Sequence, residues 1–425
     1  MKELFEKVKA TELATDKERP EILKSLDVLP YRDRKDRNSE RVEGTCVWFT
    51  ENPLFHTWRD SVESRFLWLS ANPGCGKSVL ARYLVDEVLP STDTRTTCYF
   101  FFKDDFDDQK SLSSALCCVL RQIIDQKPNL LTKELVKEFK ASQTVTKSFQ
   151  DLWDMLVGIA GNPNAGEIIC VIDAFDECEQ AERQQLIAAL NWFYSPNSLH
   201  RTKCKVKVFL TSRPYFAIHV GFKPLKDLLL NLHLDGDDEI DQISQEINIF
   251  IMNRISDLKQ YHMLSEYGQA TLQQAVTQIR HRTYLWAHLI FDDLARNFIN
   301  LPESSLRNYI RELPRTVEGA YDKILRGSSN PEKAKRLLSI IVAAEQPLLC
   351  KEMAVVLDIR CDHRTYSHLE LDDDERFCTR IRELCGLFVI IVDSKIYLLH
   401  QTAREFLVRI LDHQAPNPAT TNKLH

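Results

Sequence analysis

The sequence predicts an α/β fold: a doubly wound parallel sheet, followed by a helical domain and a winged-helix domain. Three observations carry that expectation. Strand-sized apolar runs alternate with amphipathic helical stretches between Phe66 and Leu234, the order that builds a parallel sheet with helices on its faces. Strand character then drops out after Asp235, and the spacing is helical from Glu239 to Leu325. Beyond Pro331, three helical stretches precede two short apolar runs around Asp393-Ser394, a hairpin signal. At 425 residues the chain has the length of about two to four domains.

Residues 1–44 read as a polar helical arm or linker, with helical stretches at Met1–Ala14 and Pro20–Leu26 and a charged run Arg32–Arg41. They hold too few apolar residues for a core, so they are expected to be a docking arm for protein partners or the end of another region. Thr45–Asp60 carries four aromatics and Pro53, a compact lead-in to the first strand. The α/β domain is expected over 45–235. Its strands end at Leu69, run over Thr97–Phe102, end at Asp173, start at Val206, and cover Leu228–Leu234. Its helices fall at Lys77–Leu89, Lys110–Asp125, Leu131–Ala141, Phe149–Ala160 and Gln180–Tyr194. A helical domain over 236–330 includes Ile240–Leu258, Tyr284–Phe298 and Val317–Leu325. The winged helix spans 331–412: helices Pro331–Ala344, Cys350–Leu357 and Phe377–Leu384, strands Leu387–Val392 and Lys395–His400, and helix Gln401–Leu411. A disordered tail is expected over 413–425.

Two motifs at strand ends carry chemistry. Phe66-Leu-Trp-Leu-Ser-Ala-Asn-Pro-Gly-Cys-Gly-Lys-Ser78 is a buried strand running into a loop and a helix. Pro73, Gly74 and Gly76 let successive backbone N–H groups converge on one anion, and the following helix N-terminus adds partial positive charge. This is a phosphate-binding loop of the G-x-x-x-x-G-K-[ST] form with Ala71 in the first position, which alanine fills if φ is negative there. The expected cradle is Asn72, Pro73, Gly74, Cys75, Gly76, Lys77, Ser78 and Val79. Lys77 reaches the β- and γ-phosphates, and the Ser78 hydroxyl ligates Mg2+. The second motif, Glu167-Ile-Ile-Cys-Val-Ile-Asp-Ala-Phe-Asp-Glu177, puts Asp173 at a strand tip 95 residues beyond Ser78. There it is placed to hold the metal through water, because ligands bind at the carboxyl ends of parallel strands. Asp176 or Glu177 is positioned to polarise an attacking water. A further strand ends in Thr211-Ser212-Arg213, from which Arg213 would sense the γ-phosphate; a surface ion pair is the plainer role for that arginine. Cys75 invites a redox switch, against the simpler reading of a filler at a variable position.

Composition excludes several classes. A net charge of −6 gives no overall basic field for nucleic acid or anionic membranes. From 331 to 412 there are 12 Lys+Arg and 14 Asp+Glu, so the winged helix has no basic stripe and no DNA partner is expected. The N-terminus lacks an apolar signal region, and the longest apolar runs are strand-sized, so no membrane partner is expected. Twelve cysteines without a C-x-x-C pair, several inside strand or helix patterns, fit a reducing compartment, cytosolic or nuclear, and a cytoplasmic location is expected.

With these segments placed, the chain resembles the NACHT class of signal-transduction NTPases, most closely its fungal members, which include heterokaryon-incompatibility proteins bearing WD40 or ankyrin repeats. The resemblance covers about residues 22–412. It rests on Ala71–Ser78 and on Val171-Ile-Asp-Ala-Phe-Asp-Glu177, where the small Ala174 follows the aspartate. It rests further on Leu210-Thr-Ser-Arg-Pro214, Thr283-Tyr-Leu-Trp-Ala287, Leu313-Pro314 before Tyr321, Leu398-Leu-His-Gln-Thr-Ala-Arg-Glu-Phe-Leu407, and the lead-in Leu23–Trp48. What it implies is a switch in fungal innate immunity, non-self recognition or programmed cell death. Such a switch binds ATP or GTP with Mg2+, rests on ADP or GDP, hydrolyses slowly and self-associates on activation. His400 matches the winged-helix histidine directed at the β-phosphate; a structural histidine between strand and helix is the alternative. No effector domain ahead of the core, no repeat array after residue 412 and no helical-domain Gly-x-Pro is recognisable, which leaves the base pocket undefined. A turnover ATPase of the AAA or transport type, and a non-hydrolysing scaffold or DNA-binding winged helix, are the competing readings.

Overall fold

The computed structural model describes residues 18–141, 144–195, 198–225, 229–234, 237–260, 265–279, 282–297, 303–359 and 374–414. The expected helix at Met1–Ala14 lies outside them, as does the expected tail beyond Gln414. The chain divides into two compact units, Met1–Glu246 and Ile247–His425.

The first unit is built on five parallel strands: β1 (Arg65–Ala71), β2 (Arg95–Phe101), β3 (Glu167–Asp173), β4 (Lys205–Ser212) and β5 (Leu229–Leu234), in the order β2-β3-β4-β1-β5. The strands are near-continuous apolar runs because both faces are covered. Alternation sorts the side chains. Phe66, Trp68, Cys98, Phe100, Ile168, Cys170, Val206, Val208 and Leu210 share a core with helices Leu112–Gln126, Phe149–Ala160 and Gln180–Phe193. On β4, Phe209 points the other way and meets Phe49 and Trp58 of the lead-in, with ring centroids 5.2 and 6.2 Å apart. Trp58 also donates its indole N–H to the Val208 carbonyl at 3.2 Å, which ties the lead-in to the sheet. Ser111 and Ser148 cap their helices by accepting backbone N–H groups.

The segment expected as a polar arm contributes to this core. Ile22, Leu26, Leu29 and Tyr31 are buried in it. Their spacing lays one apolar edge along the helix over 18–25 and the turn behind it. Arg121, on helix Leu112–Gln126, binds the Leu23 carbonyl at 3.0 Å and Asp27 at 2.7 Å. Members of the charged run are paired as well: Lys35 with Asp86, and Arg41 with Glu87. The chain then turns at Cys46, which has φ 66°, into a short helix Val47–Thr50. Glu246, 6% exposed on helix Asp237–Gln260, accepts the Cys46 and Trp48 amides at 2.5 and 2.9 Å, a carboxylate cap for that helix.

In the second unit, helices Glu266–Thr277, Tyr284–Asn297, Glu303–Arg311 and Val317–Arg326 follow the end of Asp237–Gln260. Trp286 donates to the Pro314 carbonyl at 2.9 Å, which joins two of the sequence marks singled out above. Helices Pro331–Ala343, Cys350–Asp358 and Asp374–Cys385 precede an antiparallel hairpin of β6 (Val389–Val392) and β7 (Lys395–Leu398) and a closing helix Gln401–Gln414, a winged helix. The hairpin strands are shorter than expected: Gly386–Phe388 forms a 3-10 turn, and the Leu399 amide bonds back to the Phe388 carbonyl. Asp393 and Ser394 both have positive φ, 50° and 61°, the two-residue turn whose twist suits a hairpin. The rings of Tyr321, Phe388 and Phe406 pack together, tilted by 34 to 36°, at centroid distances of 5.0 to 6.1 Å.

Candidate nucleotide-binding site

The strand order brings the two sequence motifs together. β4 lies between β1 and β3, so the ends of three neighbouring strands open on one crevice: Ala71 leads into the loop, Asp173 stands at the tip of β3, and Thr211 to Arg213 lie between them. Ala71 is the last strand residue and is absent from the positive-φ positions, which is why alanine replaces glycine there. The curl falls instead on Gly74 and Gly76, with φ of 79° and 84°.

At the mouth of the loop the Lys77 ammonium donates to the Ala71 and Asn72 carbonyls at 2.8 and 3.1 Å. Burial lowers its pKa, opposed by Cys75, Asp176 and Asp173. Asp173, 2% exposed, has its pKa raised by burial, against the hydrogen bonds from Ser78 and Thr211. The Thr211 hydroxyl donates to Asp173 Oδ1 at 2.6 Å and accepts the Ala174 amide at 2.9 Å. Ala174 has φ 53°, a conformation that favours small residues and turns the chain sharply away from Asp173.

The next two acids part company. Asp176 is buried and accepts the Arg213 amide at 2.9 Å while its other oxygen lies 3.3 Å from Arg213 Nε. The arginine is therefore a buried partner of this acid, not a surface ion pair. Glu177 accepts the Asp104 amide at 3.2 Å. Burial pushes its carboxyl up to about 8, against the attraction of Lys103 and with further push from Asp104 and Asp176. Lys103, just past β2, forms an ion pair with Asp105 at 3.6 Å, and its ammonium is favoured by Glu177 despite burial. Lys103 and Asp104 were not singled out by the sequence; the charged run after an apolar strand was the signal, but only the pairing of β2 with β3 places it against Glu177.

This donor set fits a magnesium nucleotide: a hydroxyl and a buried carboxylate in contact with each other, and a lysine beside them at the end of a glycine-bearing loop. This is the geometry of a P-loop NTPase, and the motifs resemble those of the NACHT type. Similarity to known proteins agrees. Residues 44–213 match the family model described as Nephrocystin 3, N-terminal, residues 321–415 match GPI inositol-deacylase, winged helix domain, and residues 243–302 match a domain of unknown function. The vegetative incompatibility protein HET-E-1 of Podospora anserina is 25% identical over 409 residues, 92% of this chain and 28% of that protein. The chain thus spans just over a quarter of that curated relative's length. Among solved structures, the ORC2 protein of Aeropyrum pernix overlays with a TM-score of 0.43 at 12% identity, covering 89% of this chain and 96% of that one. Cdc6p of Pyrobaculum aerophilum gives 0.38 at 12% identity, covering 89% and 97%. Overlays this loose carry no functional argument.

His400, the remaining residue expected in the NACHT-type site, belongs to the second unit. It precedes helix Gln401–Gln414, and its Nδ1 accepts the Thr402 amide at 3.1 Å and lies 2.8 Å from Thr402 Oγ1. The neutral ring then carries its hydrogen on Nε2. Thr402 Oγ1 is also 3.0 Å from the Tyr321 hydroxyl. No described helix is long and apolar enough to cross a membrane.

Proposed function

We propose that the chain is a nucleotide-operated switch: it binds ATP or GTP with Mg2+, hydrolyses slowly, rests on the diphosphate, and couples nucleotide state to domain opening and self-association. The observation that supports this best is the convergence of Lys77, Ser78, Asp173, Asp176 and Arg213 at the ends of β1, β3 and β4. Ser78 and Asp173 would hold Mg2+, which supplies charge neutralisation for the phosphates. The loop from Asn72 to Val79 cradles the phosphates, Lys77 offsets their charge, Glu177 or Asp176 orients water, and Arg213 reads the γ-phosphate through its tie to Asp176. His400 is proposed to contact the β-phosphate in the resting state. A role in fungal non-self recognition, immunity or cell death, a cytoplasmic location and protein partners at the N-terminal arm complete the reading; its support is the likeness to HET-E-1.

The test is direct. The nucleotide retained on purification is identified by chromatography, and affinity is measured by calorimetry for the parent and Lys77→Ala. At least tenfold weaker binding is expected, about 1.4 kcal/mol, modest for a charge-assisted contact. Equal affinity would overturn the assignment of the loop.

A further inference from the structure

Two helices of the second unit bring a pair of thiols together, in a place the nucleotide chemistry does not use. Cys350 opens the helix Cys350–Asp358 and is 1% exposed; Cys378, in the helix Asp374–Cys385, is only part-buried. The two helices pack against each other, and the sulfurs lie 3.3 Å apart. Side-chain rotation closes such a gap to the bond length of about 2.05 Å. The same stretch of backbone also holds the hairpin. The Cys350 amide donates to the Ser394 carbonyl at 2.8 Å, and the Ile396 amide donates to the Leu348 carbonyl at 3.0 Å.

We propose that Cys350 and Cys378 form a reversible thiol–disulfide site that takes low-molecular-weight disulfides of the glutathione type as its oxidant. Cys378 is the point of entry because it is the one that solvent reaches. Its thiolate attacks one sulfur of the small disulfide, forms a mixed disulfide and expels one small thiolate, which takes up the proton lost by Cys378. Cys350 then attacks Cys378 Sγ; the second small thiolate leaves with the Cys350 proton, and the Cys350–Cys378 bond remains. Two protein thiols are oxidised and one small disulfide is reduced to two thiols. The bond ties together two helices that are 28 positions apart at the sulfurs and, through the Cys350 backbone, the hairpin as well.

A second sulfur pair separates proximity from access. Cys98 and Cys170 are 3.4 Å apart and directly opposed on β2 and β3. They are 0% and 3% exposed, and Cys98 Sγ donates to the Ile169 carbonyl at 3.2 Å. A small disulfide cannot reach either sulfur while the sheet is intact, so this pair stays reduced.

The experiment equilibrates the folded full chain in oxidised/reduced glutathione buffers, quenches with acid, alkylates free thiols and maps the peptides. The expected product joins Cys350 to Cys378, and the thermal midpoint of the second unit rises by roughly 5–10 °C and returns on reduction. Cys350→Ser and Cys378→Ser each abolish both effects, and Cys98→Ser leaves them intact. Complete alkylation of Cys350 and Cys378 in the oxidising buffer, or a product that joins either of them to Cys361, overturns the proposal. If a serine variant fails to fold, the peptide map of the parent decides alone.

Discussion

A carboxylate at the end of a strand normally keeps its charge because water surrounds it; Glu177 is half-buried, beside Asp104 and Asp176. Burial raises its carboxyl to about 8, well above the ordinary glutamate value of about 4.5. The folded chain therefore holds a proton that the unfolded chain has lost over that interval. The stability Glu177 contributes is full below about 4.5 and is lost as pH rises through about 8. Denaturation of the nucleotide-free protein across this range should show stability falling with pH, and Glu177→Gln should remove that slope; an unchanged slope would place the titration elsewhere. On the proposed function, Glu177→Gln should retain nucleotide and lose turnover by about 10²–10⁴-fold. If Asp176→Asn does this while Glu177→Gln hydrolyses like the parent, Asp176 takes the role. Lys77, Ser78, Asp173 and Arg213 were legible in the sequence because each sits in a short motif at a strand end. Lys103 and Asp104 were not, since their proximity to Glu177 depends on which strands are neighbours, and strand order is a long-range property.

Among the elements, strands and their flanking helices were readable because apolar runs and helical spacing are local signals. The hairpin was readable from its turn, although its strands came out shorter once the 3-10 turn claimed Gly386–Phe388. The cap that Glu246 places on Val47–Thr50 was not, because 198 positions separate it from Trp48. Both oxygens of this buried carboxylate are engaged by amides that have no intrahelical partner. Glu246→Ala should cost about 2–4 kcal/mol of stability in a denaturant titration, with Glu246→Gln in between. A midpoint equal to the parent's would show that water replaces the carboxylate at no cost. The ion pair of Lys207, 2% exposed, with Glu167 at 2.5 Å sits at the opposite end of the sheet from the crevice and is structural in character.

For the whole molecule, the proposed switch makes the retention of bound diphosphate depend on His400. A hydrogen bond to a charged phosphate contributes about 1.5–3 kcal/mol, roughly a ten- to hundredfold change in an equilibrium. His400→Leu should therefore release ADP faster and self-associate without a trigger while remaining folded, with His413→Leu as the silent control. Stopped-flow release and light scattering check it, and ADP off-rates and monomer content equal to the parent's would return His400 to its local role beside Thr402. The packing of Ile22, Leu26, Leu29 and Tyr31 bears on how such a molecule exchanges parts in evolution. The match to the nephrocystin-type family model begins at residue 44, yet a junction there would remove Ile22, Leu26, Leu29 and Tyr31 from the core they share with helix Leu112–Gln126 and expose its apolar face. A front end exchanged without loss of this core joins upstream of Ile22, so the folding module is longer than the stretch the family model matches.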